Sequence, residues 1–117
     1  MKYNYLIEGD NDAQNVAYAI ILGDSCYVGQ TIMTAKKRLN VHLVDAIYKN
    51  RNSNIQQKLK EYVTLNKPIL VKQVQCEKSE LFSAEGLLFK KMEKLGYNML
   101  NYVDCTKYIK KNDRIGK

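Results

Sequence analysis

At 117 residues, the chain is long enough to bury one hydrophobic core but too short for two independent domains. We therefore expect a single domain over residues 1–117. The formal net charge is +7 and the pI is about 9.3. A basic surface attracts polyanions such as nucleic acids without reading their sequence, although the same charge can serve solubility alone.

The cysteines and the lone histidine exclude several kinds of site. Cys26, Cys76 and Cys105 are odd in number and far apart, which indicates neither a disulfide framework nor a thiolate zinc site. His42 is the single histidine, so a multi-histidine metal site is excluded. Residues 1–5 lack the apolar core of a signal peptide, and no apolar run approaches the ~20 residues of a membrane span. We expect a cytoplasmic protein with no membrane partner.

The first half of the chain predicts strands followed by a helix. Residues 2–8 alternate weakly and predict an edge strand. Residues 16–22 and 26–30 have strand propensity and flank a glycine-bearing turn, which predicts a β-hairpin. A helix capped by Thr34 and extending to about Tyr48 is predicted from one apolar stripe at helical spacing, formed by Leu39, Leu43, Ala46 and Ile47.

The second half predicts two more helices around another strand. A helix capped by Ser53 or Asn54 should extend through Asn66, a strand should follow over residues 69–76, and a last helix should run from about residue 77 until Gly96 stops it. The expected inward residues are Leu59, Tyr62, Val63 and Leu65, then Leu81, Ala84, Leu88 and Met92. This order predicts a small α+β fold with a mostly antiparallel sheet flanked by helices.

Two tyrosine tripeptides precede the first predicted helix. Val16-Ala17-Tyr18 belongs to the first hairpin strand and Tyr27-Val28-Gly29 to the second, so the two tyrosines should lie on neighbouring strands. Arg38 and His42 are four residues apart and therefore share nearly one helix face. If both phenols point towards that face, four groups able to bind phosphate or transfer a proton converge, as in a nuclease.

These motifs resemble the GIY-YIG endonuclease family. The two tripeptides correspond to those that name the family, with Val16 where the family has Gly, a change that a strand tolerates. Arg38 and His42 match the Arg and His on the family's first helix. Glu85 is similar to its metal-binding Glu, and Gly96-Tyr97-Asn98 to its closing motif. Residues 16–98 carry the resemblance, which leaves residues 99–117 as a basic tail.

The resemblance implies metal-dependent hydrolysis of DNA phosphodiester bonds. Tyr18 would be the general base, with its pKa lowered by nearby cations, and Tyr27 would orient the phosphate or the base. Arg38 would neutralise charge on the phosphate, and His42 would relay a proton or bind phosphate. Glu85 would hold one divalent ion, Mg²⁺ or else Mn²⁺, as cofactor. The expected supporting or DNA-binding residues are Gly29, Lys37 and Asn98.

Other interpretations stay open. Without the family, strand tyrosines are more often packing residues and a helical Glu is an ordinary surface acid. The same fold could be a nucleic-acid-binding module that does not cut, or a subunit that cuts only with a partner, for which Tyr102, Val103 and Ile109 are a candidate contact patch. Basic and aromatic residues alternate over positions 107–111, which is typical of a groove that binds a nucleic-acid strand but equally of a frayed, solvated terminus. A free-standing nuclease of this size resembles phage or mobile-element enzymes, or repair and host-DNA-degrading ones.

Overall fold

The computed structural model describes residues 3–109, which form an α+β domain with five strands and three α-helices. The chain order is β1 (Tyr5–Ile7), β2 (Gln14–Leu22), β3 (Ser25–Thr34), α1 (Ala35–Ile47), α2 (Asn54–Thr64), β4 (Ile69–Gln75), α3 (Leu81–Lys94) and β5 (Asn98–Met99). Short 3₁₀ turns at Lys78–Glu80 and Cys105–Tyr108 precede α3 and follow β5. The predicted hairpin, helices and later strand are all confirmed.

The strands form one mixed sheet in the order β1-β4-β2-β3-β5. β2 is antiparallel to both of its neighbours, β3 and β4. The edge strands β1 and β5 instead run parallel to β4 and β3. The three central strands are thus antiparallel, as the mostly antiparallel sheet predicted from the sequence requires, and the two short parallel edges make the whole sheet mixed.

Helices cover both faces of the sheet, with α1 and α2 on one face and α3 on the other. Successive residues of β2 alternate between the two cores because strand side chains point to opposite faces. Tyr18 and Ile20 pack towards α1 and α2, whereas Ala19 and Ile21 pack towards α3. This burial on both sides explains why β2 is almost continuously apolar. None of the helices within residues 3–109 is long and apolar enough to cross a membrane.

Side-chain caps define where two helices begin. Thr34 Oγ1 accepts a hydrogen bond from the Lys37 backbone N–H at 3.2 Å, which confirms the predicted cap of α1. Ser53 forms a capping box with Gln56 at the start of α2. The expectation for Leu65 is wrong, because α2 ends one residue earlier and the side chain is 58% exposed.

The segment after β5 belongs to the fold as far as residue 109. Leu100, Cys105 and Ile109 are buried. The second 3₁₀ turn packs on α3 at Gly86, where an added Cβ would lie 2.8 Å from Ile109 Cγ1. The expected tail therefore starts later than residue 99, and Ile109 is not available for a partner patch. Lys110, Lys111 and the rest of the basic terminus lie outside the described residues.

Candidate active site

One cleft of about 370 Å³ is lined by four of the five predicted catalytic residues. Tyr27 from β3, Arg38 and His42 from α1, and Glu85 from α3 all line it. Its remaining walls are the first turn of α2, Asp45, and residues of the segment between positions 100 and 108. Residues 58 positions apart in sequence, from 27 to 85, thus line one open cleft.

Tyr18 lies behind this cleft and does not line it, since its side chain is only 2% exposed. Its hydroxyl is 2.9 Å from His42 Nε2 and accepts a hydrogen bond from Arg38 Nε at 3.4 Å. The direction of the Tyr18–His42 hydrogen bond follows the imidazole tautomer: the phenol donates when the proton is on Nδ1, and it accepts when the proton is on Nε2.

Gly29 creates the space that the Tyr18 ring occupies. The two residues are direct partners in the β2–β3 register. A Cβ at position 29 would lie 2.6 Å from Tyr18 Cζ and would overlap the hydroxyl. The predicted supporting role of Gly29 is therefore a steric one: only glycine lets the ring cross the neighbouring strand and reach α1.

The tyrosine pKa values differ from the sequence expectation. Burial raises the pKa of Tyr18 well above its usual value of 10.0, with a further contribution from Tyr27, and the hydrogen bond from Arg38 only partly offsets this. Burial also raises the pKa of Tyr27, while Arg38 lowers it. Arg38 alone does not lower the pKa of Tyr18, because the cost of desolvating a phenolate exceeds the effect of one guanidinium.

His42 is a buried, neutral imidazole. Its side chain is 4% exposed, and burial followed by the charge of Arg38 lowers its pKa from 6.5 to about 4. The Tyr27 ring packs edge-on against it, with ring centroids 5.2 Å apart. Tyr18 and Tyr27 therefore fix the imidazole from two sides, and it carries no charge at neutral pH.

Glu85 is the buried carboxyl of the cleft. It is 9% exposed, and burial alone raises its pKa from 4.5 to about 7. Within residues 3–109 it makes neither a hydrogen bond nor an ion pair. Asp45, the other carboxylate lining the cleft, lies near Lys49 and Arg51, with N–O distances of 3.6 and 3.8 Å. Glu85 is thus the carboxylate whose charge nothing in the described chain compensates.

Two predicted supporting residues lie away from the cleft. Lys37 is exposed on α1, and Asn98 is exposed on β5, where its backbone N–H donates to the Asp24 carbonyl at 2.8 Å. The amide that fixes the cleft wall is instead Asn101. Its Oδ1 accepts from the Val28 N–H at 3.0 Å, and its Nδ2 donates to the Val28 carbonyl at 2.7 Å. No sequence signal beyond its position shortly after β5 distinguishes Asn101.

The residues that could hold a divalent ion are few. Groups of three or more His, Cys, Asp or Glu side chains suited to a metal are absent from the part of the chain that the structure describes. Mg²⁺, however, often takes one or two carboxylates and completes its shell with water and substrate phosphate. An uncompensated carboxylate at the wall of a water-accessible cleft fits that pattern, so Glu85 can serve as the one protein ligand.

Comparisons with known proteins gave no match: no family model, no curated protein and no solved structure matches this chain. Assignment to the GIY-YIG family therefore stays a prediction that depends on the residues themselves.

Proposed function

We propose that this protein is a GIY-YIG-type endonuclease that hydrolyses DNA phosphodiester bonds with a divalent metal ion. The observation that carries the proposal is the convergence of a guanidinium, an imidazole, a phenol and an uncompensated carboxyl on one cleft. These groups come from β3, α1 and α3, which the fold brings together. The net charge of +7 supports a polyanionic substrate.

Arg38 binds the scissile phosphate. It lines the cleft, it is half-buried, and it forms no ion pair within residues 3–109 that would compete for its charge. The Nε–H donates to the Tyr18 hydroxyl, which leaves the terminal N–H groups for phosphate oxygens. A planar guanidinium donates to two such oxygens at once and stabilises the charge that accumulates on them in the transition state.

The two tyrosines exchange the roles that the sequence suggested. Tyr27 lines the cleft and can contact an attacking water molecule, so we assign proton transfer to Tyr27. Tyr18 is too deeply buried for that contact, and it positions Arg38 and His42 through its hydroxyl. Arg38 favours the phenolate of Tyr27, whereas burial and the charge of Glu85 oppose it. A cation bound to Glu85 would neutralise its charge, and the pKa of Tyr27 would then no longer be raised by Glu85.

Glu85 would bind the ion through its carboxylate. When bound, the ion supplies Lewis-acid stabilisation of the phosphate and of the leaving oxygen. The pKa of about 7 means that Glu85 is only partly ionised at neutral pH, and that a cation competes with a proton for it. Activity should therefore rise with pH between about 6 and 8 at limiting metal concentration.

Digestion of supercoiled plasmid tests this function. The protein should nick or linearise the plasmid with Mg²⁺ or Mn²⁺ and should be inactive in EDTA, and end-group analysis should give the polarity of cleavage. Glu85→Gln should be inactive. Glu93→Gln is the matched control, because Glu93 is an exposed acid on the same helix outside the cleft.

A non-cleaving nucleic-acid-binding module is the second candidate. The raised pKa values of Tyr18 and Tyr27 favour it, since two neutral phenols can pack and donate hydrogen bonds without taking a proton. If purified protein binds the plasmid but leaves it intact with both metals, the second candidate replaces the first.

A further inference from the structure

The cleft has aromatic walls that the proposed chemistry does not use. Tyr102, from the loop after β5, and Tyr108, from the second 3₁₀ turn, line it together with Tyr27. Phosphodiester hydrolysis requires groups that bind phosphate and move protons, and it does not require three phenol rings. Aromatic rings beside a cationic phosphate site are, however, what proteins use to stack nucleic-acid bases.

Tyr102 is held in place although it is largely exposed. Its side chain is 73% exposed, yet its hydroxyl accepts a hydrogen bond from the Asn54 backbone N–H, the first of α2, at 3.1 Å. This bond joins the loop after β5 to α2 and orders the ring at the rim of the cleft. An ordered ring loses little entropy when a planar group stacks on it.

Tyr108 contacts two other side chains. The Phe82 ring packs against it at a tilt of 59°, with centroids 5.3 Å apart. Lys107 Nζ lies 5.4 Å from the centroid of the Tyr108 ring. A cation beside a stacking ring can attract the phosphate next to a stacked base, which is the arrangement found in grooves for single strands.

The size of the cleft limits what these rings can contact. About 370 Å³ is at the lower end of the roughly 300–1,000 Å³ of pockets for small ligands. In a duplex each base is paired and stacked on its neighbours, so its face can meet a tyrosine only after the nucleotide leaves the stack. The cleft has room for one nucleotide, whereas a paired double helix can present only its backbone at the mouth.

From the rings and the volume together, we infer that the cleft binds one unpaired nucleotide, so that the preferred DNA is single-stranded or locally opened. The inference deepens the proposed nuclease function and rests on it for the position of the phosphate at Arg38. It assigns to Tyr102 and Tyr108 the stacking of a base next to that phosphate.

Fluorescence anisotropy in EDTA tests the inference without cleavage. A labelled 12-nucleotide single strand should bind at least tenfold more tightly than the duplex of the same sequence. Tyr102→Ala should weaken single-strand binding by roughly 5- to 150-fold, the usual worth of one stacked base, and should change duplex binding less than twofold. Tyr102→Phe keeps the ring and should retain most of the affinity.

Tyr48→Ala is the matched control, because Tyr48 is an exposed tyrosine at the end of α1 that does not line the cleft. It should bind both DNAs like the unmodified protein. Equal affinity of the unmodified protein for single strand and duplex would overturn the inference, and this comparison requires no variant to fold. The inference would also be overturned if the Tyr102→Ala variant, shown to be folded by circular dichroism, bound the single strand with unchanged affinity. Absence of plasmid cleavage would instead remove the nuclease function and leave this binding result intact.

Discussion

The two walls of the cleft differ in how their polar groups are satisfied. The sheet-side wall, formed by Tyr27, Arg38 and His42 in front of Tyr18, is joined by hydrogen bonds and ring contacts. The second wall belongs to α3, which presents Glu85 without a hydrogen bond or ion pair from residues 3–109. Contacts within the protein therefore determine the protonation of the groups on the first wall. The charge of Glu85 on the second wall depends on pH and on whatever binds there.

The largest expected effect comes from removing the carboxylate of the second wall. Glu85→Gln should lower metal-dependent plasmid cleavage by at least about 10³-fold, because several kcal/mol of charge stabilisation depend on the ion that Glu85 would hold. Binding of DNA in EDTA should be unchanged or slightly tighter, since one negative charge is lost. Single-turnover cleavage and anisotropy measure the two quantities.

The control for Glu85→Gln is Glu93→Gln, which removes an exposed carboxylate from the same helix and should retain full activity. If Glu85→Gln cleaves within tenfold of the unmodified protein, Glu85 is not the metal ligand, and the contrast between the two walls has no catalytic meaning.

The next effect separates the two tyrosines of the first wall. Tyr27→Phe should lower the cleavage rate by about 10²- to 10⁴-fold, the usual worth of general-base catalysis, because Tyr27 lines the cleft. Tyr18→Phe should lower it only about tenfold, because the ring still packs and only the hydrogen bonds to His42 and Arg38 are lost.

The measurement is the ratio of the cleavage rates of the Tyr27→Phe and Tyr18→Phe variants, with circular dichroism to check that both are folded. An independent readout is the imidazole NMR signal of His42, which should shift in Tyr18→Phe because Nε2 loses its hydrogen-bond partner. If Tyr18→Phe lowers the cleavage rate more than Tyr27→Phe does, Tyr18 and not Tyr27 is the general base.

A smaller effect is expected from Arg38. Arg38→Ala should lower the rate at least about 10²-fold, since it removes the guanidinium from the transition-state phosphate. Arg38→Lys should recover only part of the rate, because the ammonium cannot donate to two phosphate oxygens and to Tyr18 with the same geometry. Lys37→Ala is the control, since Lys37 is exposed on α1 away from the cleft. A fully active Arg38→Lys variant would show that a point charge is enough.

The sequence predicted the parts of the fold that depend on local patterns. The hairpin, the Thr34 cap and the apolar stripe of α1 follow from strand propensity, capping chemistry and helical periodicity. The direction of the two edge strands did not follow, because β1 and β5 have three and two residues. The position of Leu100, Cys105 and Ile109 in the core also escaped prediction, since it depends on packing against Gly86.

The sequence predicted four of the residues that line the cleft, but not how deeply each side chain is buried. Motif order identified Tyr27, Arg38, His42 and Glu85, and all four line the cleft. Burial, which no spacing reveals, decides the pKa values and so reverses the expectation for Tyr18. Asn101 was missed because its amide acts on the backbone of a strand 73 residues earlier.

The smallest expected effect is on stability, where Glu85 and His42 act in opposite directions. The folded-state pKa of Glu85 is raised from 4.5 to about 7, so the unfolded chain loses this proton first and stability falls as pH rises across that window. The folded-state pKa of His42 is lowered from 6.5 to about 4, so the unfolded chain gains this proton first and stability falls as pH drops from 6.5 to 4.

The two contributions therefore oppose each other between about pH 4.5 and 6.5, and Glu85→Gln should expose the slope of His42 alone. Relative to the unmodified protein, the variant should gain on the order of 1 kcal/mol of unfolding free energy between pH 4 and pH 8, a value reduced for the partial solvent access of the carboxyl. Urea unfolding in EDTA at pH 4, 6 and 8 measures this change. Because the cost of burying the glutamine amide is the same at every pH, it cancels when the values at pH 4 and pH 8 are subtracted. Glu93→Gln should show no such pH-dependent gain. An equal free-energy difference at all three pH values would mean that Glu85 has the same pKa in the folded and unfolded protein, and that some group compensates the cost of burying its charge.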